Sequence, residues 1–269
     1  MTPGVTRVTD VTAKATPVAR RLLAEHGLAP SAIGEGRRVT KADVLGYLER
    51  RTPKAEPRPS LVPLSSMRKA IAEHMVRASQ TIPHGQTVMQ ADVTRLAAWR
   101  DQHKADFEAE HGAPLTYTVL FVHALARALT VRAQQVDLGV AVALDNGLIV
   151  PVIRAADSLT LGETACALAD LASRARAGKL QPAETQGALM TVTNVGSFGN
   201  LFAAPIVPLH QIGILGPGLV EGRPLPAPDG GIRIGASCWL TLMFDRREFD
   251  DLSADRLLRA VVDNLISPR

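Results

Sequence analysis

The sequence predicts an α/β two-layer sandwich with a mixed or antiparallel sheet, preceded by a small two-helix domain. Three observations predict this fold. Helical and strand patterns mix along the chain without the regular alternation of a doubly wound nucleotide-binding fold. Apolar runs on either side of Asp145-Asn146-Gly147 indicate a hairpin and hence antiparallel pairing. A proline-rich stretch, residues 51–60, separates a short basic segment from the large remainder of the chain.

Composition limits the functions that are open to the chain. The 269 residues are 46% hydrophobic but only 4% aromatic, so aliphatic side chains must fill the core. The net charge is +4 and no basic stripe carries interleaved aromatic residues, which argues against nucleic acid and weakly favours an anionic ligand. No apolar run approaches the roughly 20 residues that span a bilayer, and residues 1–14 lack the apolar core of a signal peptide. We therefore expect a cytoplasmic protein without a membrane partner.

The two cysteines, Cys166 and Cys238, lie far apart in apolar settings. They are expected to be reduced core residues, with neither a disulfide nor a metal role. The sequence contains no GxGxxG after a strand and no Walker loop, so hydride transfer from a nucleotide and phosphoryl transfer are set aside.

The N-terminal part predicts a disordered lead, residues 1–15, and a helical domain, residues 16–50. Thr16-Pro17 is a helix start, and Thr40 with Asp43 has the form of a capping box at the second helix. The residues expected to face inward are Val18, Leu22 and Leu23 in the first helix and Val44, Leu45 and Leu48 in the second. The surface is basic: Arg20, Arg21, Arg37, Arg38 and Lys41. The unit is either a small helical cap or a docking module for an acidic protein partner.

The large domain is predicted to span residues 61–269. A helix follows Ser65-Ser66, with Met67, Ile71 and Met75 or Val76 on one face. The other predicted helices are residues 94–110, 115–129, 159–176 and 254–266. The predicted strands are residues 87–93, 138–144, 148–153, 189–193, 212–215 and 232–244.

A dense group of charges follows the last predicted strand. Six of the seven residues from Asp245 to Asp251 are charged, and they stand where the buried run ending at Phe244 stops. Such a group is either a solvated turn or a polar site at the end of a sheet.

The order of these pieces resembles the dihydrolipoamide acyltransferases of 2-oxo acid dehydrogenase complexes, whose catalytic domain is similar to chloramphenicol acetyltransferase. Residues 16–50 resemble the peripheral subunit-binding domain of that family, with TPVARRLLAEHGL and RRVTKADVLGYL as its two helices. In the large domain the matching stretches are PLSSMRKAIAEHM, IPH, ADVT, GLIVPVIRAADSLTL, TVTNVGSFG, API and QIGILG.

The resemblance implies a trimer with active sites between subunits, coenzyme A entering from one side and the acyl acceptor from the other. In the family, a histidine in a strand-end motif Asp-His-Arg-x-x-Asp-Gly is the general base on the thiol. The matching stretch here runs from Asp245 to Asp251, with Arg246 in place of the histidine and Asp251 in place of the glycine. Arginine stays protonated at any working pH and cannot be the base. Thr193 keeps the hydroxyl that steadies the oxyanion in the family.

Other residues could supply the chemistry that Arg246 cannot. His84, in the IPH turn, and His210, after Pro208-Leu209, are candidate bases or ordinary scaffold histidines. Asp250 would need a raised pKa to serve as a base, and it could instead form a structural pair with Arg247. Arg246 itself could bind a phosphate or carboxylate, or bridge to Asp250 or Asp245.

A turn after Thr193 is the candidate approach to the cofactor. Gly196 and Ser197 could let the backbone come close to the pantetheine arm of coenzyme A, although the same pattern suits any loop. Arg247 is a further candidate for binding the cofactor. No metal is expected at the site.

From these features we expect a coenzyme A-dependent acyltransferase outside a dehydrogenase complex, with acetyl-CoA the simplest donor. It would act on a small-molecule hydroxyl acceptor such as a tetronate or polyketide-type intermediate. No lipoyl domain precedes residue 16, so no lipoyl attachment site is expected, and the absence of an apolar C-terminal tail favours a free homotrimer. The alternative is a catalytically silent homologue that docks a dehydrogenase as a scaffold component of a 2-oxo acid dehydrogenase complex. A weaker third possibility is small-molecule binding or elimination on the same scaffold.

Overall fold

The computed structural model describes residues 14–34, 37–51, 66–144 and 147–266. Residues 1–13 of the predicted lead, 52–60 of the predicted linker, and Asp145 and Asn146 of the predicted hairpin turn lie outside these ranges. The chain divides into two compact units, Met1–Pro63 and Leu64–Arg269.

The small unit is built on two helices, α1 (Pro17–Glu25) and α2 (Lys41–Arg51), with a short 3₁₀ helix at Pro30–Ala32 between them. Thr16 caps α1 by accepting a hydrogen bond from the Ala19 amide. The Thr40 and Asp43 side chains and backbone amides exchange hydrogen bonds at the start of α2, as the capping box predicts. The helices enclose a small core of Ala15, Ala19, Leu23, Val39 and Val44.

Two residues of the small unit do not face inward as predicted. Val18 is 55% exposed and Leu45 is 42% exposed. The unit is so small that two short helices bury only one narrow stripe each, and residues at the margin of the helical pattern remain in solvent. This leaves apolar as well as basic side chains on its surface.

The large unit contains five helices and nine strands within the described residues. The helices are α3 (Ser66–Thr81), α4 (Thr94–His111), α5 (Tyr117–Leu129), α6 (Leu161–Arg176) and α7 (Asp251–Ile266). The strands are β1 (His84–Asp92), β2 (Leu138–Val140), β3 (Val142–Leu144), β4 (Gly147–Ile149), β5 (Val152–Ile153), β6 (Met190–Val192), β7 (Gly213–Pro217), β8 (Glu221–Pro226) and β9 (Ile232–Asp245).

Seven strands form one mixed sheet. Its order is β1-β9-β7-β6-β2-β5, and β8 pairs with the first half of β9. β2, β6 and β7 are parallel to one another, whereas β1, β5, β8 and β9 each pair antiparallel with their neighbours. The mixed sheet with helices packed on it confirms the predicted fold class.

Two features of the sheet differ from the sequence prediction. The apolar runs around Gly147 each split in two, so that β3 and β4 form a separate hairpin while β2 and β5 join the main sheet. Strand β8 was not predicted, because Pro224 and Pro226 fall within it. Proline is tolerated there because β8 pairs with β9 alone and needs donors on one side only.

The main core lies between the sheet and helices α4 to α7. Its fully buried side chains include Leu96 of α4, Leu125 of α5, Leu258 of α7, and Leu240 and Leu242 of β9. α5 is apolar almost all round and is covered on most of its surface, as its sequence predicts. Of the two cysteines, Cys238 is buried as expected, but Cys166 is exposed.

A smaller apolar cluster covers the opposite face of the sheet. It joins Ala78 of α3, Ile82, Val207 and Ile214 of β7. The face of α3 that was predicted to be buried is largely open within this chain, with Ile71 38% and Val76 53% exposed. The spacing correctly predicts a helix, but Ala78 rather than the larger side chains makes the buried contact.

The packing of α7 gives a direct test of the core. Leu258→Ala should lower the free energy of unfolding by about 2–5 kcal/mol, because it removes a fully buried side chain and leaves a cavity. Leu252→Ala, the same change in the same helix at a side chain that is 58% exposed, should change it by no more than about 0.5 kcal/mol. Urea unfolding monitored by circular dichroism measures both, and equal losses would contradict the assignment of the core.

Candidate active site

A cavity of about 700 Å³ opens at the carboxyl ends of the parallel strands. Val140 ends β2, Thr193 follows β6 and Gly218 follows β7, and all three line it. The start of α5 and one side of α6 complete the walls, with Leu168 among the apolar residues. A cleft at the carboxyl ends of parallel strands is a common place for a ligand.

Two arginines line this cavity, and one of them, Arg100, is also paired with Asp101 at 3.1 Å. Its lining among the described residues includes Arg100 and Arg176 and contains no carboxylate side chain. The Arg100 side chain donates to the Leu115 carbonyl at 2.8 Å and lies over the Tyr117 ring, 4.6 Å from its centroid. Burial raises the pKa of the Tyr117 hydroxyl. The cavity therefore suits a ligand that combines an apolar part with negative charge.

The turn after β6 forms one edge of the cavity. The Thr193 amide donates to the Leu215 carbonyl at 2.9 Å, and the Thr193 hydroxyl has no hydrogen bond within the described part of the chain. The Asn194 side chain donates to the Thr118 hydroxyl at 2.9 Å, which ties the turn to α5. The turn is therefore held by its neighbours, while the Thr193 hydroxyl stays available to a ligand.

Gly196 and Ser197 lie in this turn. A Cβ atom at Gly196 would stand 2.2 Å from the Gly218 carbonyl oxygen, so the turn packs against the end of β7 only with glycine there. The Ser197 hydroxyl donates to the Asn194 carbonyl at 2.7 Å. Both residues line the cavity.

The charged group after β9 consists of two separate ion pairs. The Arg247 side chain and backbone amide donate to the Asp245 carboxylate, with the Nε to Oδ1 distance 2.9 Å. Asp245 is only 3% exposed, and the hydrogen bonds from Arg247 hold its pKa below the usual range. This pair fixes the end of the strand, so Arg247 holds Asp245 rather than lying at the cavity.

Arg246 forms the second pair, with Asp251. Its two terminal nitrogens donate to the two Asp251 oxygens at 2.8 and 3.3 Å, and its backbone amide donates to the Pro83 carbonyl at 2.9 Å. The sequence analysis considered Asp250 or Asp245 as the bridging partner, but the guanidinium turns toward the first residue of α7 instead. The pair uses one N–H of each terminal nitrogen, and the two side chains are 49% and 69% exposed.

Asp250 caps α7. Its carboxylate accepts from the Ser253 amide at 2.8 Å, and its own amide donates to the Ser253 hydroxyl at 3.1 Å. The hydrogen bonds from Ser253 lower the pKa of the carboxyl group. A general base near neutral pH needs the opposite shift, so the geometry does not favour a catalytic role for Asp250. The predicted structural pair with Arg247 is wrong, because Arg247 is bonded to Asp245.

The two candidate histidines lie in different settings. The His84 ring is held at both nitrogens: Nδ1 is 2.8 Å from the Ile82 carbonyl, and Nε2 accepts from the Val207 amide at 3.0 Å. His210 is exposed and adopts a left-handed backbone conformation with φ of 66°. His84 therefore acts as scaffold between two loops, and His210 lies in a surface turn.

Thr193 and Arg246 do not meet within one chain. Through the registers of β6, β7 and β9, Thr193 is level with Thr241, whereas Arg246 follows the end of β9. Five residues of strand separate these levels, or about 16 Å, and the two positions are also two strands apart. Within one chain, Gly196, Ser197 and Thr193 lie together at one end of the strands. The charged residues after β9 lie at the opposite end.

The two arginines of the cavity cannot be recognised from the sequence. Arg100 and Arg176 lie in two different helices, and no local pattern distinguishes them from the many exposed arginines of the chain. The described residues contain no group of three or more His, Cys, Asp or Glu side chains suited to a metal ion. No helix in the described ranges is long and apolar enough to cross a membrane.

Comparison with family models assigns most of the chain. The model described as the catalytic domain of the 2-oxoacid dehydrogenases acyltransferase family matches residues 56–269. The model described as the E3-binding domain matches residues 13–45.

Characterised relatives match across both units. The dihydrolipoyllysine-residue succinyltransferase component of the 2-oxoglutarate dehydrogenase complex of Rickettsia bellii is 32% identical, over 94% of this chain and 70% of that protein. The lipoamide acyltransferase component of the branched-chain alpha-keto acid dehydrogenase complex of Bacillus subtilis is 30% identical, over 91% of this chain and 69% of that protein.

Solved structures agree with the fold. A probable dihydrolipoamide acetyltransferase from Listeria monocytogenes superposes with a TM-score of 0.74 at 32% identity, over 80% of this chain and 98% of that one. The dihydrolipoamide acetyltransferase of Azotobacter vinelandii superposes with the same TM-score at 29% identity, over 78% of this chain and 92% of that one.

These findings correct the expectation of an acetyltransferase that acts on a small-molecule alcohol outside a dehydrogenase complex. The relatives are components of such complexes, and their similarity extends through the E3-binding domain as well as the catalytic domain. The chain belongs to the acyltransferase family of the 2-oxo acid dehydrogenase complexes.

Proposed function

We propose that this chain is a component of a 2-oxo acid dehydrogenase complex that docks a partner enzyme and binds coenzyme A but has no working acyl-transfer base. The observation that carries the proposal is the ion pair between Arg246 and Asp251, at the strand end where the family resemblance expects the histidine. A guanidinium held by a carboxylate cannot accept a proton from a thiol. The family's chemistry is lost at this position, while its binding surfaces are retained.

The Azotobacter structure supports this residue assignment. It was determined in a study of the role of a serine, a histidine and an asparagine in the catalytic mechanism of that enzyme. The asparagine follows the histidine by four positions there, as Asp250 follows Arg246 here. The serine precedes the histidine by almost the interval that separates Thr193 from Arg246. By this spacing Thr193 keeps the hydroxyl, Arg246 replaces the histidine, and Asp250 stands where the Azotobacter enzyme has an asparagine.

Docking would use the small unit. Its surface carries exposed arginines, among them Arg21 and Arg38, around the small core of Ala15, Ala19, Leu23, Val39 and Val44. A basic surface would complement an acidic patch on a partner protein. The match of residues 13–45 to the E3-binding domain supports the E3 dehydrogenase as that partner.

Coenzyme A would occupy the cavity at the end of β6. Gly196 and Ser197 allow the chain to approach a pantetheine arm, and the apolar walls suit its hydrocarbon portion. Arg100 and Arg176 supply positive charge for the phosphate groups. Coenzyme A would bring its thiol or thioester to the end of the strands at which Thr193 lies. The Thr193 hydroxyl could there still donate to the carbonyl oxygen of a thioester.

A homotrimer would complete the arrangement. Thr193 and Arg246 lie at opposite ends of the strands of one sheet. Only a second copy can therefore bring position 246 near the Thr193 hydroxyl. The solved relatives include a cubic core of a pyruvate dehydrogenase complex, which is itself an assembly of many copies. The exposed apolar residues of the loop beside the cavity, Phe198 and Phe202, would be covered by such a contact.

Acyl transfer is the first test. The purified chain should transfer acetyl groups from acetyl-CoA to dihydrolipoamide at the background rate, because a general base typically contributes about 10²–10⁴-fold. Chromatographic measurement of acetyl-CoA consumption checks this, with a histidine-containing relative assayed alongside. An enzymatic rate that falls in Thr193→Ala would contradict the proposal and would show that another residue serves as base.

Binding of coenzyme A tests the cavity. Arg176→Gln should weaken coenzyme A binding about tenfold, because a charge-assisted hydrogen bond contributes about 1.5 kcal/mol or more. Arg259→Gln, at an exposed arginine of α7 that does not line the cavity, should leave the affinity unchanged. Titration calorimetry measures both affinities. Equal affinities in the two variants would show that coenzyme A does not bind in this cavity.

Binding of the partner tests the small unit. Arg38→Glu should weaken binding of the E3 dehydrogenase and reduce the dependence of binding on salt, because it reverses a charge on the docking surface. Arg256→Glu, which reverses an exposed charge in the large unit, is the matched control. Surface plasmon resonance with the intact chain gives both affinities. Equally tight binding by the wild type and by Arg38→Glu would show that this surface is not the docking site for the E3 dehydrogenase.

A further inference from the structure

We propose that Asp251 is a positioning residue for Arg246, and that its carboxylate would hinder a base placed at position 246 even after Arg246 is replaced. The proposal rests on the proposed function in that it takes position 246 as the place of the missing base. It adds that Asp251, the first residue of α7, holds the Arg246 side chain in its observed orientation.

The backbone of Arg246 is fixed independently of its side chain. Its amide donates to the Pro83 carbonyl at 2.9 Å, which joins the end of β9 to the turn before β1. The preceding residue, Asp245, is buried and is held by Arg247. The Arg246 side chain therefore starts from a defined point, and its direction depends on its partners.

Asp251 sets that direction. Its carboxylate receives both terminal nitrogens of Arg246, and the guanidinium carbon lies 5.8 Å from the centroid of the Phe244 ring. Within the described residues, Asp251 is the one carboxylate paired with Arg246, since Asp245 is taken by Arg247. Two oxygens facing two nitrogens fix the plane of the guanidinium as well as its position.

Asp251 is itself held in place. It is the first residue of α7, where a carboxylate is stabilised by the helix dipole, and the preceding Asp250 fixes the start of the helix through Ser253. The carboxylate therefore lies beside position 246 because α7 begins there, and replacing Arg246 alone would leave it in place.

This arrangement has a consequence for any side chain placed at position 246. An imidazole there would have a carboxylate close by, and an opposite charge within about 4–6 Å favours the charged form. An imidazolium cannot accept a proton from a thiol. The other charged or titratable groups around the strand end are His84 on β1, Arg132 after α5, Asp245, Arg247 and Glu248 in the turn, and Asp255 on α7.

The test uses acetyl transfer from acetyl-CoA to dihydrolipoamide by the intact chain. Arg246→His should show a weak rate, Asp251→Gly alone should stay at background, and the double variant should exceed Arg246→His in kcat by about tenfold or more. The KM for acetyl-CoA should be the same in both active variants, because the change concerns the base and not the cofactor cavity. A loss of structure would not produce this division between kcat and KM.

Asp251→Asn in the Arg246→His background guards against a loss of folding at the start of α7. It removes the charge and keeps the size of the side chain, so it should raise kcat as the glycine does. Equal kcat values for Arg246→His with and without either change at position 251 would overturn the proposal, as would background rates in every variant. Acetyl transfer by the wild-type chain would overturn the proposed function instead, and the ratio of the variants would still decide this inference.

Discussion

Strand β9 is the constraint on which the large unit depends. It pairs with β8 over its first half, and with β1 and β7 over its second half, so one continuous strand aligns three others. Its inward side chains, Leu240, Leu242 and Phe244, are fully buried against the helices. Because the strand ends at the buried Asp245, the position of the next residue, Arg246, is set by the whole sheet rather than by the local turn. A substitution at position 246 therefore alters a side chain whose backbone position is fixed by the sheet.

The two ends of the strands differ in which groups they leave open to a ligand. The carboxyl ends of the parallel strands retain an open cavity with positive charge and a Thr193 hydroxyl that no described neighbour occupies. The end of β9 carries two ion pairs that satisfy both arginines. An open cavity at one end of the strands and paired arginines at the other support the proposal of binding without proton transfer. A chain of this kind can still occupy a place in an assembly, because assembly and docking depend on surfaces rather than on a base.

The sequence predicts the fold well, because most elements carry a periodic apolar pattern, strong turn residues or clear caps. It fails where tertiary contacts override the pattern. The prolines of β8 hide a strand that needs hydrogen bonds on one side only, and Ile71 of α3 is exposed because Ala78 makes the contact with the sheet. Thr193, Gly196 and Ser197 line one cavity, as their nearness in the sequence suggests. The sequence cannot show that Arg246 would choose Asp251, since that choice depends on where α7 begins, nor that Arg100 and Arg176 would share one cavity.

The most direct test is an experimental structure of the assembled chain with coenzyme A bound. The account predicts that the Thr193 edge of one copy faces the β9 end of another, with coenzyme A in the cavity. It also predicts that the Arg246 guanidinium remains on Asp251, with no side chain able to accept a proton within hydrogen-bond reach of the coenzyme A sulfur. A histidine or carboxylate in direct contact with that sulfur would contradict the account, because the chain would then possess the base that it is proposed to lack.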